Sequence, residues 1–282
     1  MFAVPENTGI IDIPALQEPE RVGRDVIFTT YFTGKPDPQS GAKRKSNWFK
    51  HLKTWARSRR GGARSELPGI AREDEYERIE IWYESLLKVG CEAVIFHDKL
   101  SQPFVDKWTR PEVRFERYAL KTPRSVNDER YQCYQEYLLA NPDIDRIFML
   151  DLFDIEFFSN PFDLIDDEQF DIYCGGDAGE YNDKLNRSKM VAAFGQAYYE
   201  DQIKLNAGIC GGNRKPVMAL MDSMLEVFDN LTERGEIANL NMAIFNKCVY
   251  DMFEPARIMY GYPLNSRFKK YERSGNFALR HK

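Results

Sequence analysis

Between Asp25 and Leu152, β-branched and aromatic runs alternate with segments of helical period, and this alternation restricts the chain to α/β folds built on a largely parallel sheet. Asp25 to Phe32 (DVIFTTYF) reads as a buried strand that ends at the turn residues Gly34-Lys35-Pro36-Asp37-Pro38. Glu73 to Val89 spaces Tyr76, Ile79, Trp82, Tyr83, Leu86 and Leu87 as one helix face, Gly90 is placed to stop that helix, and Cys91 to His97 follows as a strand. The pattern predicts a short helix at 102–108, a strand at 113–119, a helix at 127–140 and a strong strand at 146–152. Further on come an apolar run at 170–174, a polar stretch to Lys204, the segment 205–212, and helices at 216–231 and 239–250. The expected class is α/β, a doubly wound, mostly parallel mixed sheet of Rossmann type in one domain.

With 282 residues the chain can bury a large core, and no linker divides it. Residues 1–20 read as an N-terminal arm, 21–282 as the folded domain, and 34–72 as a long insertion within it. No apolar stretch approaches membrane-spanning length and no secretory pattern opens the chain, so a cytoplasmic location is expected. The five cysteines lie far apart with no CxxC pair, which indicates buried free thiols and not a zinc site or a disulfide framework. Net charge is −5, yet Lys43 to Arg64 holds nine cations and no acid. Within it Trp48, Phe49, Leu52 and Trp55 fall on one helical face, a pattern suited to peripheral contact with an anionic membrane or to gripping phosphates; the alternative is a lid packed on the domain. Nucleic acid is not an expected partner, because the remainder of the chain is acidic.

The segment richest in chemistry is Ile147 to Phe158 (IFMLDLFDIEFF), where an apolar strand runs straight into Asp151, followed by Asp154 and Glu156. In a parallel sheet the carboxyl ends of the strands open onto the ligand crevice, and acids there can share a hard divalent cation with phosphate oxygens and water. Asp151 and Asp154 are the favoured ligands. Asp154 with Glu156, a D-x-E spacing, is the alternative.

Arg146 to Phe162 (RIFMLDLFDIEFFSNPF) resembles the strand and D-x-D motif of GT-A glycosyltransferases, and further segments resemble the same family in the same order over about 24–282 outside the basic insertion. The resemblance implies a manganese or magnesium ion on Asp151 and Asp154 and a nucleoside diphosphate sugar as donor. It implies a nucleotide-binding end at Thr29, Thr30 and Tyr31, and an Arg, here Arg130, that reaches both an acid and the sugar or phosphate. Leu205 to Gly212 (LNAGICGG) is similar to the family's N-A-G segment, which puts Asn206 on sugar hydroxyls. Gly175-Gly176-Asp177 is similar to the segment facing donor and acceptor, with a simple turn as the alternative. Asn239 to Asn246 (NLNMAIFN) looks like the family's helix start, with Asn241 where an acid is usual. The closing His281-Lys282 resembles a late metal ligand and a diphosphate contact, with a frayed tail as the alternative, and the pair is reminiscent of retaining families. Asp177, Asn206 and Asn241 are thus the catalytic candidates, Thr29, Thr30, Tyr31, Arg130, Asp151 and Lys282 the donor-binding ones, and Asp151, Asp154 and His281 the metal ligands. The acceptor is expected to be a hydroxyl of a glycan or lipid-linked glycan. Two other classes stay open: a nucleotidyltransferase, which would use a nucleoside triphosphate and release pyrophosphate, and an inactive sugar- or lipid-binding protein, which would transfer nothing.

Overall fold

A computed structural model describes residues 23–35, 74–180, 183–235, 239–267, 270, 272 and 274–282. The expected arm at 1–20 and nearly all of the basic insertion, with its aromatic stripe, lie outside the described residues. Strand β1 (Arg24–Tyr31) is followed by a 3₁₀ turn at Tyr76–Arg78, α1 (Glu80–Val89), β2 (Glu92–His97), α2 (Gln102–Trp108), β3 (Val113–Arg117), α3 (Val126–Ala140), β4 (Ile144–Leu150) and β5 (Ile155–Phe157). Then come β6 (Ile172–Glu180), α4 (Lys184–Phe194), β7 (Ile203–Asn213), α5 (Arg214–Glu233), α6 (Asn241–Met252), β8 (Ile258–Tyr260) and β9 (Leu279–His281). The main sheet has seven strands in the order β3-β2-β1-β4-β7-β6-β8, and β5 pairs with β9 in a small second sheet. Only β7 runs antiparallel to its neighbours in the main sheet. The chain is α/β with a mostly parallel mixed sheet, compatible with a Rossmann-like fold.

The middles of β1 (Val26–Phe28) and β4 (Ile147–Leu150) are apolar because both faces of the sheet are covered. Val26 and Phe28 of β1, with Ile147 and Met149 of β4, join the core under α3, α5 and α6, while Ile27, Tyr31, Phe148 and Leu150 join the core under α1. Helix starts and stops follow local chemistry. Ser101 and Ser125 accept backbone N–H bonds as N-caps of α2 and α3, and Gly90 ends α1 at φ 69°. All five cysteines are free and buried within these two cores and their helices. No helix among the described residues is long and apolar enough to cross a membrane.

Two expectations are corrected. The helix expected over 73–89 begins only at Glu80, and Gly175-Gly176-Asp177 is no turn but lies inside β6. Glycine there serves close approach: a Cβ on Gly175 would stand 3.0 Å from the Asn206 carbonyl oxygen, and one on Gly176 would stand 2.8 Å from the Gly261 Cα.

The β6–β7 ladder shifts register at Cys174/Gly175, and side-chain amides fill the gap it leaves. Fully buried Asn246 of α6 accepts the Leu205 N–H at 2.9 Å and donates to the Leu205 carbonyl at 2.9 Å and the Met242 carbonyl at 2.8 Å. Asn246→Leu leaves the Leu205 backbone groups buried and unpaired, and is expected to lower unfolding free energy by about 3 kcal/mol in urea titration.

Candidate functional site

The strand order reverses between β1 and β4, since β2 and β3 continue on one side and β4 opens the other. At such a switch point the connections leave in opposite directions and a crevice forms outside the carboxyl ends of the strands. Residues singled out in the sequence, Thr29-Thr30-Tyr31 at the end of β1 and Asp151 one residue past β4, flank that point.

Asp151 is held from three directions. Its N–H donates to the Gly208 carbonyl at 2.9 Å, continuing the β4–β7 ladder by one rung. Gly208 in turn gives its N–H to the Asn206 side-chain oxygen at 2.8 Å. A Cβ on Gly208 would stand 2.5 Å from Asp151 Oδ2, so the missing side chain is what leaves room for that carboxylate oxygen. The other oxygen, Oδ1, accepts from Arg130 Nη1 at 2.5 Å.

Arg130 lies inside the domain and not on a solvated helix face: it is 7% exposed, and its Nη2 donates to the Ala207 carbonyl at 2.9 Å and the Tyr131 hydroxyl at 3.3 Å. Both terminal nitrogens are thus engaged by the protein. Burial pushes the Asp151 carboxyl up, but the Arg130 charge, the nearby His281 and the hydrogen bond outweigh it and hold the group below the usual carboxylate range. Asp151 is therefore an anion whose charge is balanced on one oxygen and open on the other.

The chain's last residues come to the same place. β9 pairs antiparallel with β5, matching Ile155 to His281, and the Lys282 N–H donates to the Asp154 carbonyl at 2.8 Å. His281 is 1% exposed and its N–H donates to Ser266 Oγ at 3.1 Å, so the pair His281-Lys282 is no frayed tail. Glu156 forms an ion pair with Arg280 across the two strands. Asp154 is exposed on the turn between β4 and β5. Burial and then Arg280 lower the Lys282 ammonium's pKa, against a rise from Asp154.

The remaining candidates spread around this centre. Asp177 on β6 faces Lys204 of β7 at 3.5 Å, and Lys204 also meets Asp183, the N-cap of α4, at 3.2 Å. Asn206 is 6% exposed. Asn241 opens α6 with its side-chain oxygen on the Met242 N–H at 2.8 Å, and its own N–H reaches the Asp128 carboxylate, so it ties α6 to α3. Thr29 and Tyr31 are fully buried, and only Thr30 of that trio is partly exposed. The Tyr31 ring meets Phe153 edge-on at 5.5 Å, and Arg78 lies over Phe153 at 4.6 Å from its centre. Lys204 and Ser266 carry no signal of their own in the sequence, whereas Gly208 belongs to the N-A-G segment singled out there.

Among the described residues no three His, Cys, Asp or Glu side chains converge so as to hold a metal ion. Asp151, Asp154 and His281 fit one in donor chemistry: two carboxylates and an imidazole suit manganese or magnesium when phosphate oxygens and water complete the set, and the Gly208 cradle keeps Asp151 Oδ2 accessible. Two recesses of about 590 and 450 Å³ lie elsewhere, one at the start of α5 and one between α3 and α5. Neither is lined by a residue of this site. No protein-family model matches the chain, and no curated protein matches it.

Asp128, 2% exposed beside Arg130, provides a pH test. Burial pushes its carboxyl up to about 7, against the Ser125 hydroxyl, Arg130, Arg124 and the Asn241 N–H, which pull it down. The folded chain then binds a proton that the unfolded chain, with a carboxyl near about 4, has released, so stability falls as pH rises from about 4 to about 7 and is flat above. Asp128→Asn is expected to remove that decline, read as the difference between variant and parent unfolding free energies at pH 5 and pH 8.

Proposed function

We propose that this chain is a metal-dependent glycosyltransferase of the GT-A kind that moves a sugar from a nucleoside diphosphate to a hydroxyl of a glycan or lipid-linked glycan, with retention of configuration. One observation carries the reading: Asp151 stands at the sheet's switch point, ionised by Arg130 on one oxygen and opened by Gly208 on the other, with Asp154, His281 and Lys282 gathered on the same edge. Lys282 beside the acids supports the reading, since a diphosphate leaving group needs cations next to it and acids alone would repel it.

A manganese or magnesium ion held by Asp151, Asp154 and His281 would supply the positive charge that stabilises the departing diphosphate. The chain's own residues do the rest. Arg130 fixes the rotamer and ionisation of Asp151, and the Lys282 ammonium adds a point charge for a phosphate oxygen. Beside Asp151, Asn206 keeps its side-chain oxygen on the Gly208 N–H and would give its amide N–H donors to sugar hydroxyls, and the Asp177–Lys204 pair would serve the acceptor. Membrane contact through 43–64, which would bring a lipid-linked acceptor within reach, belongs to the same proposal and rests on the cationic, aromatic sequence there.

Thermal denaturation with nucleoside diphosphates and their sugars, with and without manganese, tests the reading. Ligand at a hundred times its dissociation constant adds about 2.7 kcal/mol, so one nucleoside diphosphate is expected to raise Tm by several degrees only when metal is present. Asp154→Ala and Gly208→Ala are each expected to abolish that increment, the first by removing a ligand and the second by crowding Asp151 Oδ2. Asp154→Ala should leave the ligand-free Tm nearly unchanged, because the side chain is exposed. Stabilisation by a nucleoside triphosphate with pyrophosphate release would favour nucleotidyl transfer instead, and no response to any nucleotide would refute both.

A further inference from the structure

Beyond the donor edge, the junction of β6 and β8 near Asp177 carries an arrangement that the donor chemistry leaves unused. β8 is the edge strand, parallel to β6 and in register Cys174 to Tyr260. Gly261 follows at φ 70°, and its Cα lies so close to Gly176 that a side chain on Gly176 would meet it at 2.8 Å. The two backbones touch one residue before Asp177. The loop is then fastened from beneath: the Asn265 side chain accepts the Gly176 N–H at 3.1 Å and donates to the Gly176 carbonyl at 3.3 Å and the Ser266 carbonyl at 2.8 Å, while the Asn265 N–H donates to the Gly261 carbonyl at 2.8 Å. Leu264, Asn265 and Ser266 are all buried.

From this fixed base two large rings stand out on either side of Gly261. Tyr260 is 42% exposed and Tyr262 is 67% exposed. Exposed aromatics on a rigid loop at the rim of a strand-end crevice mark a binding surface, and tyrosine presents a flat apolar face with a hydroxyl tip at low entropic cost. The neighbouring polar groups identify the ligand class. Asp177 lies 3.5 Å from Lys204, which is shared with Asp183 at 3.2 Å, so two carboxylates surround one ammonium, an arrangement that repels a phosphate and accepts hydroxyl protons. A pyranose ring has the matching surface: a face of C–H groups for the rings and a rim of hydroxyls for the ion pair.

We propose that Tyr260 and Tyr262 form an aromatic platform that stacks against the acceptor sugar beside Asp177 and Lys204. The assignment of this sugar as the acceptor rests on the glycosyltransferase reading, whereas the platform itself rests on the loop. Saturation-transfer NMR of the full chain with a panel of methyl hexosides and methyl pentosides reads it directly. At least one glycoside is expected to take up saturation on its ring C–H protons, and the double variant Tyr260→Ser with Tyr262→Ser is expected to abolish that signal. The double Tyr→Phe variant should keep it, because the rings remain. If the double serine variant fails to fold, Tyr262→Ser alone, at the more exposed position, should still reduce the signal at least twofold. Absence of any glycoside signal in the parent chain overturns the platform, as does a signal that survives removal of both rings. The two readings fail separately. A glycoside signal that disappears in the serine variant, in a chain that binds no nucleoside diphosphate with manganese, upholds the platform and sinks the transferase, and nucleotide binding without any glycoside signal does the reverse.

Discussion

A carboxylate at the end of an apolar strand must be kept ionised in surroundings that favour its neutral form, and the pairing of Arg130 with Asp151 meets that requirement. An isolated buried charge would take up a proton or pull the strand end into water. Here the guanidinium comes from α3, spends its second arm on the Ala207 carbonyl, and thereby ties α3, β4 and β7 at one point. Removing either partner would strand the other charge, which is costlier than never having built the pair. The geometry of the site and the packing of three elements are in this sense one interaction.

Its second requirement is space. β7 runs against the direction of every neighbour and must approach β4 closely, and its glycines permit this: a Cβ on Gly211 would stand 2.2 Å from the Phe148 ring, as one on Gly208 would collide with Asp151. Where the ladder then loses register, buried carboxamides take over the pairing. Asn246 does so for Leu205, and Asn265 for Gly176. The same economy appears twice because a backbone group released from a ladder inside a core has no water to turn to.

Much of the fold was legible in the sequence because the central strands are buried on both faces and so appear as unbroken apolar runs, and because α1 and α5 carry clear amphipathic spacing. α4 was not, since only Met190 and Ala193 of its residues are buried and its sequence, KLNRSKMVAAF, has no apolar stripe to betray a helix. β5 and β9 are three residues each, and their pairing joins positions 155–157 to 279–281, a contact with no local signature. In the candidate site, Asp151, Arg130 and Asn206 were legible through composition and resemblance. Lys204 and Ser266 were not, because a lysine beside an acid across two strands, or a serine under a backbone N–H, becomes visible only once the chain is folded.

The five buried thiols give the domain an internal set of probes. Cys91 sits under α1, Cys133 on α3, Cys248 on α6, and Cys174 opposes Cys210 at the last rung before the β6–β7 ladder shifts. Burial pushes the Cys91, Cys133, Cys174 and Cys248 thiols up, so each is both shielded and poorly nucleophilic while its surroundings stay closed. Alkylation of a given cysteine therefore reports opening of its own neighbourhood, and the order in which the five react would separate local breathing at the helix layers from rupture of the central sheet.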